Sequence, residues 1–384
     1  MPPSPSIPAL AAQLNFALLG VCPAAPVSRA AEFAAWLAAG RHGEMDYLET
    51  SFSQRISPQE MFPAARSIIV LGDRYAPRAQ RLQSAEPGID ADGQAIGLVA
   101  RYARGRDYHD TLKNRLHTLA DALRAAFPGA KFRSVVDSAP VMERDHAARA
   151  GLGWAGRHTL IIHPRLGSWF LLGAILTDLD LPPFENQPAT LEFTDHCGTC
   201  TRCVDACPTQ AIAAPPGRSV DAARCISYLT IEHRSLIDPQ LFTPIGQHVF
   251  GCDICQAVCP FNSADPDAPP DPVLPQYHSR ISRPRAAAGE TGTPHGWPLA
   301  RMLDWTPAAR HEGFGNSALK RATLEMFKRN AVIAAANAAR DPATPQRERG
   351  RLLRRIRRLA ADRREPDLVR ITAQQVLTIG QPPS

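Results

Sequence analysis

Eight of the nine cysteines fall between Cys197 and Cys259, and their order leaves few folds open. The first run, Cys197, Cys200, Cys203 and Cys207 followed by Pro208, reads C-x2-C-x2-C-x3-C-P. The second is Cys225, then Cys252, Cys255 and Cys259 followed by Pro260. Thiolates at these intervals wrap 4Fe–4S cubes: the first three cysteines of a run face one cube from a tight loop, and the fourth, on the following helix, reaches the other. Cys197, Cys200, Cys203 and Cys259 are thereby assigned to one cluster, and Cys207, Cys225, Cys252 and Cys255 to the second. Structural zinc favours two C-x-x-C pairs separated by about a dozen residues or more. Crowded C-x-x-C pairs are a poor disulfide framework for a long chain. Cys22 stands apart and reads as a small buried hydrophobe.

With 384 residues and 44% hydrophobic content, the chain can support roughly two or three domains. No apolar run approaches the roughly 20 residues that span a bilayer, so no membrane partner is expected. Met1 to Val27 contains no Lys or Arg, which argues against a secretory signal. Together with cluster thiols this points to the reducing cytoplasm. Charge is uneven: Arg301 to Ser384 carries 17 Lys and Arg against 8 Asp and Glu, while the preceding 300 residues net −3. The Arg-rich stretch from Arg347 to Arg364 reads either as a footprint for a polyanion or as a solvated helix face.

Periodicity predicts a helix over 28–39, a strand at Ser67–Leu71 and an amphipathic helix over Tyr108–Phe127 carrying Leu112, Leu116, Leu119 and Leu123. A strand at Lys131–Val136, a helix over about 140–150, and strands at Thr159–His163 and Trp169–Leu176 follow. This alternation argues for an α/β domain over 1–185. Pro182, Pro183 and Pro188 mark its end. A ferredoxin-like double-cluster domain with its linker is expected over 186–295, with helices near Ala222–His233 and Ile245–Val249 and an irregular stretch over 263–297. Four short helices are expected in an all-α, HEAT-like region over 296–384: Ser317–Phe327, Asn330–Ala339, Arg347–Ala361 and Asp367–Leu377. So short an array should pack on the rest of the protein.

The cysteine pattern alone defines a two-cluster module. The flanking residues add a resemblance. Arg101-Tyr102-Ala103-Arg104-Gly105-Arg106-Asp107-Tyr108-His109, Val136-Asp137-Ser138-Ala139-Pro140 and Ala150-Gly151-Leu152-Gly153-Trp154-Ala155-Gly156-Arg157-His158 occur in order. Cys225-Ile226-Ser227-Tyr228-Leu229-Thr230-Ile231-Glu232 and Gly251-Cys252-Asp253 follow. The ordered set, over about residues 40 to 262, resembles the epoxyqueuosine reductases. The tail segment Ser317-Ala318 with Arg329-Asn330-Ala331 matches more weakly.

The resemblance implies a cobalamin-dependent oxidoreductase with two 4Fe–4S clusters. It would reduce the epoxide of epoxyqueuosine to an alkene at the tRNA wobble position, the last step of queuosine synthesis. It further implies a monomer fed by an electron donor of flavodoxin or ferredoxin type. Asp137 matches the family's proton donor, whereas from the residues alone it reads as a helix cap ahead of Pro140. A donor working near neutral pH would need a raised pKa, which burial could supply. For cobalamin the match points to Arg55, Ala100, Asp137, Ile161, Leu172, Ser227 and Asp253, several acting through apolar surface or backbone. The pattern D-x-H-x-x-G is absent, because Asp107-Tyr108-His109 runs into Asp110, Thr111 and Leu112, so no histidine ligand to cobalt is expected. Glu232, Lys320, Arg321 and Arg329 are the candidate tRNA contacts. A corrinoid dehalogenase of small molecules and a plain electron-transfer ferredoxin are the alternatives.

Overall fold

The computed structural model describes residues 6–78, 88–184, 196–214, 218–264, 271–281 and 295–379. Pro188 and much of the expected linker lie outside the described residues. Among the described residues the strands are β1 (Leu18–Pro23), β2 (Ser67–Arg74), β3 (Ile96–Val99), β4 (Phe132–Val136), β5 (Trp154–Ala155), β6 (Ile161–Ile162), β7 (Phe170–Thr177), β8 (His248–Phe250) and β9 (Gly296–Pro298).

A four-stranded sheet runs in the order β1-β2-β7-β4, and every ladder in it is antiparallel. The alternation of helices and strands therefore does not build the parallel sheet of an α/β domain. Central strands β2 and β7 send alternate side chains to opposite faces, as the pleat requires. Ile69, Leu71 and Ile175 meet Leu112, Leu116 and Leu119 of the long helix Tyr108–Ala126. Ile68, Val70, Ala174 and Leu176 meet Ala147 and Ala148 of the helix Glu143–Arg149. Both faces are covered, so the buried apolar run of β2 follows. Cys22 is buried on β1, as its apolar surroundings suggested.

β3 joins β8 in parallel and β9 in antiparallel fashion, tying the N-terminal region, the cysteine region and the stretch before the tail into one sheet. Neither β1 nor β3 was expected: β3 has four residues, and β1 carries Gly20 and ends on Pro23, which weaken a strand pattern. The helix expected over Ile245–Val249 lies earlier in the chain, and β8 takes its last two residues, His248 and Val249. The actual helix, Phe242–Ile245, stops where Gly246 takes φ +61°. Asn337 Nδ2 donates to the carbonyls of Phe242 and Gly246 at 2.7 Å and secures that stop.

The tail contains one helix, Leu324–Arg340, where two were expected, preceded by a 3-10 turn at Ala318–Arg321. Thr323 caps it by accepting from Met326 N at 3.3 Å. Lys328 and Arg329, which fell between the two expected helices, are buried and bonded, as is Asn330 after them. Lys328 pairs with Glu365 at 2.5 Å, and Asn330 Nδ2 donates to the carbonyls of Thr230 and Val249 at 2.9 Å. Helices Gln346–Ala361 and Asp367–Ile379 complete a group in which each packs on the other two. Leu352, Ile356 and Leu359 share a core with Phe242, Val249, Trp297 and Phe327, so the tail packs on the cysteine region. No described helix is long and apolar enough to cross a membrane.

Candidate active site and cluster region

The loop around Cys197 turns tightly: Cys200 N donates to Cys197 O at 2.9 Å, and Gly198 takes φ +53°. Arg157 clamps the loop by donating to Gly198 O at 2.6 Å. Cys197, Cys200, Cys203 and Cys259 then line one cavity of about 80 Å³, closed by Arg157 and Phe261. Burial, and after it Cys197 and Cys200, push Cys203 up to about 11; burial, Cys197, Cys203 and Cys200 do the same to Cys259. Cys252 is raised by burial and by its neighbours Asp253, Cys225 and Cys207, and Cys255 by burial, Cys252, Cys225 and Cys203. Cys197, Cys200, Cys203 and Cys259 thus surround one cavity, and the charges of Cys207, Cys225 and Cys252 act together on the thiols of the second run.

No three His, Cys, Asp or Glu side chains among the described residues close on a single metal-ion position. A cube asks for something different, four thiolates spread around a void with one iron each. Crowded buried thiols are also costly to ionise without a cation, and a cluster offsets that cost. The donor set and the cavity fit an iron–sulfur cube.

Asp137 sits in the turn immediately after β4. It caps no helix, since the next one begins at Glu143 with Met142 at its cap. Its carboxylate accepts from the Tyr108 hydroxyl through Oδ2, and Oδ1 lies 3.1 Å from His109 Nε2. The Tyr108 and His109 rings stack at 4.0 Å. His109 Nδ1 in turn lies 2.7 Å from Oδ1 of the buried Asp107. Burial pulls the His109 imidazolium down, but hydrogen bonds from Asp107 and Asp137 outweigh it and raise His109 to about 9. Burial of Asp107 is likewise outweighed by His109 and Lys320, holding that carboxyl down at about 2. The burial expected for Asp137 is not found, since its side chain is 46% exposed. The group that favours its protonated form here is His109 beside it.

Two tyrosines gather the remaining candidates. The Tyr102 phenol is raised by burial and then by the charges of Asp137, Asp253, Glu232 and Asp107, and its ring packs edge-on against Tyr108. Tyr47 is 43% exposed and feels Glu232, Arg321, Arg55 and Asp137. The guanidiniums of Arg55 and Arg321 lie 5.8 and 5.9 Å from its ring centre. Asp253 Oδ2 accepts from Arg101 N at 2.6 Å, and Arg101 covers the Trp169 ring at 4.7 Å. Ala100 and Ile161 are each 3% exposed and offer little beyond backbone. Ile161 and Leu172 share an apolar cluster with Ala139, two residues beyond Asp137. Ser227 is half-buried on the helix that follows Cys225. Tyr47, a lone aromatic ahead of Arg55, carried no signal in the sequence.

The four candidate RNA contacts divide. Arg321 donates to both carboxylate oxygens of Glu232 at 2.7 and 2.8 Å, and both residues border Tyr47. Lys320 pairs with Asp107 at 2.6 Å. Arg329 requires correction: it is 0% exposed and donates to the carbonyls of Leu229, His233 and Ser235 at 2.6 to 2.9 Å. A buried guanidinium spent on three backbone carbonyls cannot reach a phosphate.

Eight cysteines at cluster spacing, four of them around one cavity, define the class as a double-cluster iron–sulfur protein. A family model described as a 4Fe–4S double cluster binding domain matches residues 196–262, and one described as epoxyqueuosine reductase QueG, DUF1730, matches residues 55–138. The epoxyqueuosine reductase of Burkholderia pseudomallei is 39% identical over 343 residues, covering 85% of this chain and 80% of that one. That of Alicycliphilus denitrificans is 38% identical over 340 residues, covering 88% and 87%. A crystal structure of epoxyqueuosine reductase with an epoxyqueuosine-modified tRNA-Tyr stem loop superposes with a TM-score of 0.78 at 26% identity, covering 98% of this chain and 89% of that one. The chain belongs to the epoxyqueuosine reductase family.

Proposed function

We propose that this protein reduces epoxyqueuosine to queuosine at the wobble position of tRNA. The observation that carries the reading is the His109–Asp137–Tyr108 cluster, a carboxylate held between an imidazole and a phenol. Reduction of the epoxide consumes two electrons and two protons and yields an alkene and water. When bound, the two 4Fe–4S clusters supply single electrons and cobalamin supplies the bond-breaking chemistry.

Arg55, Ala100, Ile161, Leu172, Ser227 and Asp253 would hold the cobalamin. The fit rests on Glu143, whose buried Oε1 has no partner and whose carboxyl, neighboured by Asp137 and Arg55, is pushed up to about 8 by burial and then Asp137. A polar group arriving there, such as a corrin amide, would satisfy that oxygen. Asp137 delivers a proton to the reacting group, and His109 replaces it. Tyr108 fixes the orientation of the carboxylate.

We read 1–185 as the cobalamin and substrate platform, 186–295 as the cluster domain and 296–384 as the RNA-facing region. Glu232 and Arg321 stand beside Tyr47, where an anticodon base could stack. A flavodoxin- or ferredoxin-type donor would feed a cytoplasmic monomer. Purified anaerobic protein with full iron and cobalamin, given reductant and tRNA carrying epoxyqueuosine, should yield queuosine. No conversion under those conditions overturns the proposal.

A further inference from the structure

Lys320 belongs to the basic tail and was expected at RNA, yet the structure gives it another partner. Its Nζ lies 2.6 Å from Asp107 Oδ2 and 3.9 Å from Asp110 Oδ2. Asp107 is 1% exposed, and its Oδ2 has no aligned hydrogen-bond donor, so the contact with Lys320 is a charge pair. The other oxygen, Oδ1, accepts from His109 N at 3.0 Å and lies 2.7 Å from His109 Nδ1. His109 Nε2 then meets Asp137. Backbone contacts hold the tail in this register: Asp107 N donates to Asn316 O at 2.7 Å, and Ser317 Oγ donates to Ala103 O at 3.3 Å.

From this chain of contacts we infer that Lys320 is a positioning residue for proton delivery, sharing Asp107 with His109 so that the imidazolium releases its proton to Asp137. The inference deepens the proposed reaction and rests on it. A carboxylate divided between two cations holds each less firmly than it would hold one. Direct repulsion between Lys320 and a protonated His109 acts in the same direction. The groups facing His109 are Asp107 and Tyr108 from its own helix, Asp137 from the turn after β4, and Lys320 with Asp110 one step behind. Lys320 is thus the cation that opposes the hold of the carboxylates. In this way the C-terminal segment completes the acid–base site.

The test uses holoenzyme, with clusters and cobalamin loaded anaerobically, on a stem loop carrying epoxyqueuosine. Single-turnover rates are measured against pH, and stem-loop affinity against salt, for wild type, Lys320→Met and Lys320→Arg. The wild-type rate should fall as pH rises through about 9, where His109 loses its proton. Lys320→Met should move that limb upward by about half a pH unit and lower the plateau roughly threefold, the equivalent in rate. Its affinity and salt slope should stay those of wild type, and Lys320→Arg should restore the profile.

An unmoved limb in Lys320→Met overturns the inference. If affinity also weakens and the salt slope drops by about 1, Lys320 belongs to an RNA phosphate instead. Failure of the underlying reading looks different: His109→Gln would then keep the wild-type alkaline limb. Losing the ammonium beside the buried Asp107 should lower the melting point of Lys320→Met slightly, and Lys320→Arg should restore it.

Discussion

His109 Nε2 lies 3.1 Å from Asp137 Oδ1, joining an imidazolium stabilised by two carboxylates to an acid exposed enough to meet substrate. Asp137→Asn keeps the shape and removes the transferable proton. Turnover should fall about 10²- to 10⁴-fold, with iron and cobalamin content unchanged. Wild-type turnover in that variant would remove Asp137 as the donor.

The same pair sets a pH dependence of stability. The folded-state pKa of His109 is raised from 6.5 to about 9, because Asp107 and Asp137 overcome the opposing effect of burial. A raised value means stabilisation that is full below the unfolded pKa and lost as pH climbs through the folded one. The contribution is therefore complete below about pH 6.5 and gone above about pH 9. Solvent reaches 34% of the side chain, so the effect is small. Urea midpoints of wild type should decline across this window more than those of His109→Gln, and parallel declines would exclude the linkage.

Arg329 predicts a structural rather than an RNA-binding phenotype. Arg329→Met strips donors from three backbone carbonyls, that of Leu229 buried, that join the tail helix to the cysteine region. Denaturant unfolding should show a loss of about 3 kcal/mol. Arg329→Lys should not recover it, since one ammonium cannot reproduce the planar fork. A variant as stable as wild type that lost only stem-loop affinity would return Arg329 to the RNA surface.

Arg329 also shows why some of the fold was legible and some was not. The cysteine quartets were readable because cluster ligands obey short, local spacing. The helix Tyr108–Ala126 was readable because its leucines repeat at helical intervals. Lys328 and Arg329 misled because buried polar residues look like a solvated break until their distant partners are known. The antiparallel order of β1-β2-β7-β4 depends on how connections cross, which periodicity does not encode. His109 was underestimated for a related reason. Asp107 is two residues away, but Asp137 arrives from another strand and Lys320 from the tail.

Gly167 predicts a cluster-specific defect. It takes φ +69°, and an added Cβ would stand 2.1 Å from Asn262 Oδ1 and 2.7 Å from Phe261 O. Asn262 Oδ1 accepts from Ser168 N at 2.7 Å, and its amide donates to Gln256 O at 2.8 Å, framing the segment that carries Cys259. Gly167→Ala should displace that segment and empty the cluster of Cys197, Cys200, Cys203 and Cys259 first. Iron per chain would fall from about eight toward about four. Full iron content in the variant would show that the loop absorbs the methyl group.

The Arg-rich helix Gln346–Ala361 separates two kinds of arginine. Arg355 and Arg358 both reach Asp304, Arg355 Nε at 2.8 Å, which fastens the helix to the start of the tail just after the helix Leu299–Met302. Arg354 and Arg357 are exposed on the outer surface. Replacing Arg354 and Arg357 by Gln should weaken stem-loop binding and reduce its salt slope by roughly 1 to 2, since each phosphate contact contributes nearly one counterion. Replacing Arg355 and Arg358 should cost about 1 kcal/mol of stability and change the slope less. The two double variants share the same charge change, so net charge alone cannot explain a difference between them. If both leave affinity untouched, this face of the helix is only solvated, and RNA must approach through Tyr47, Glu232 and Arg321 alone.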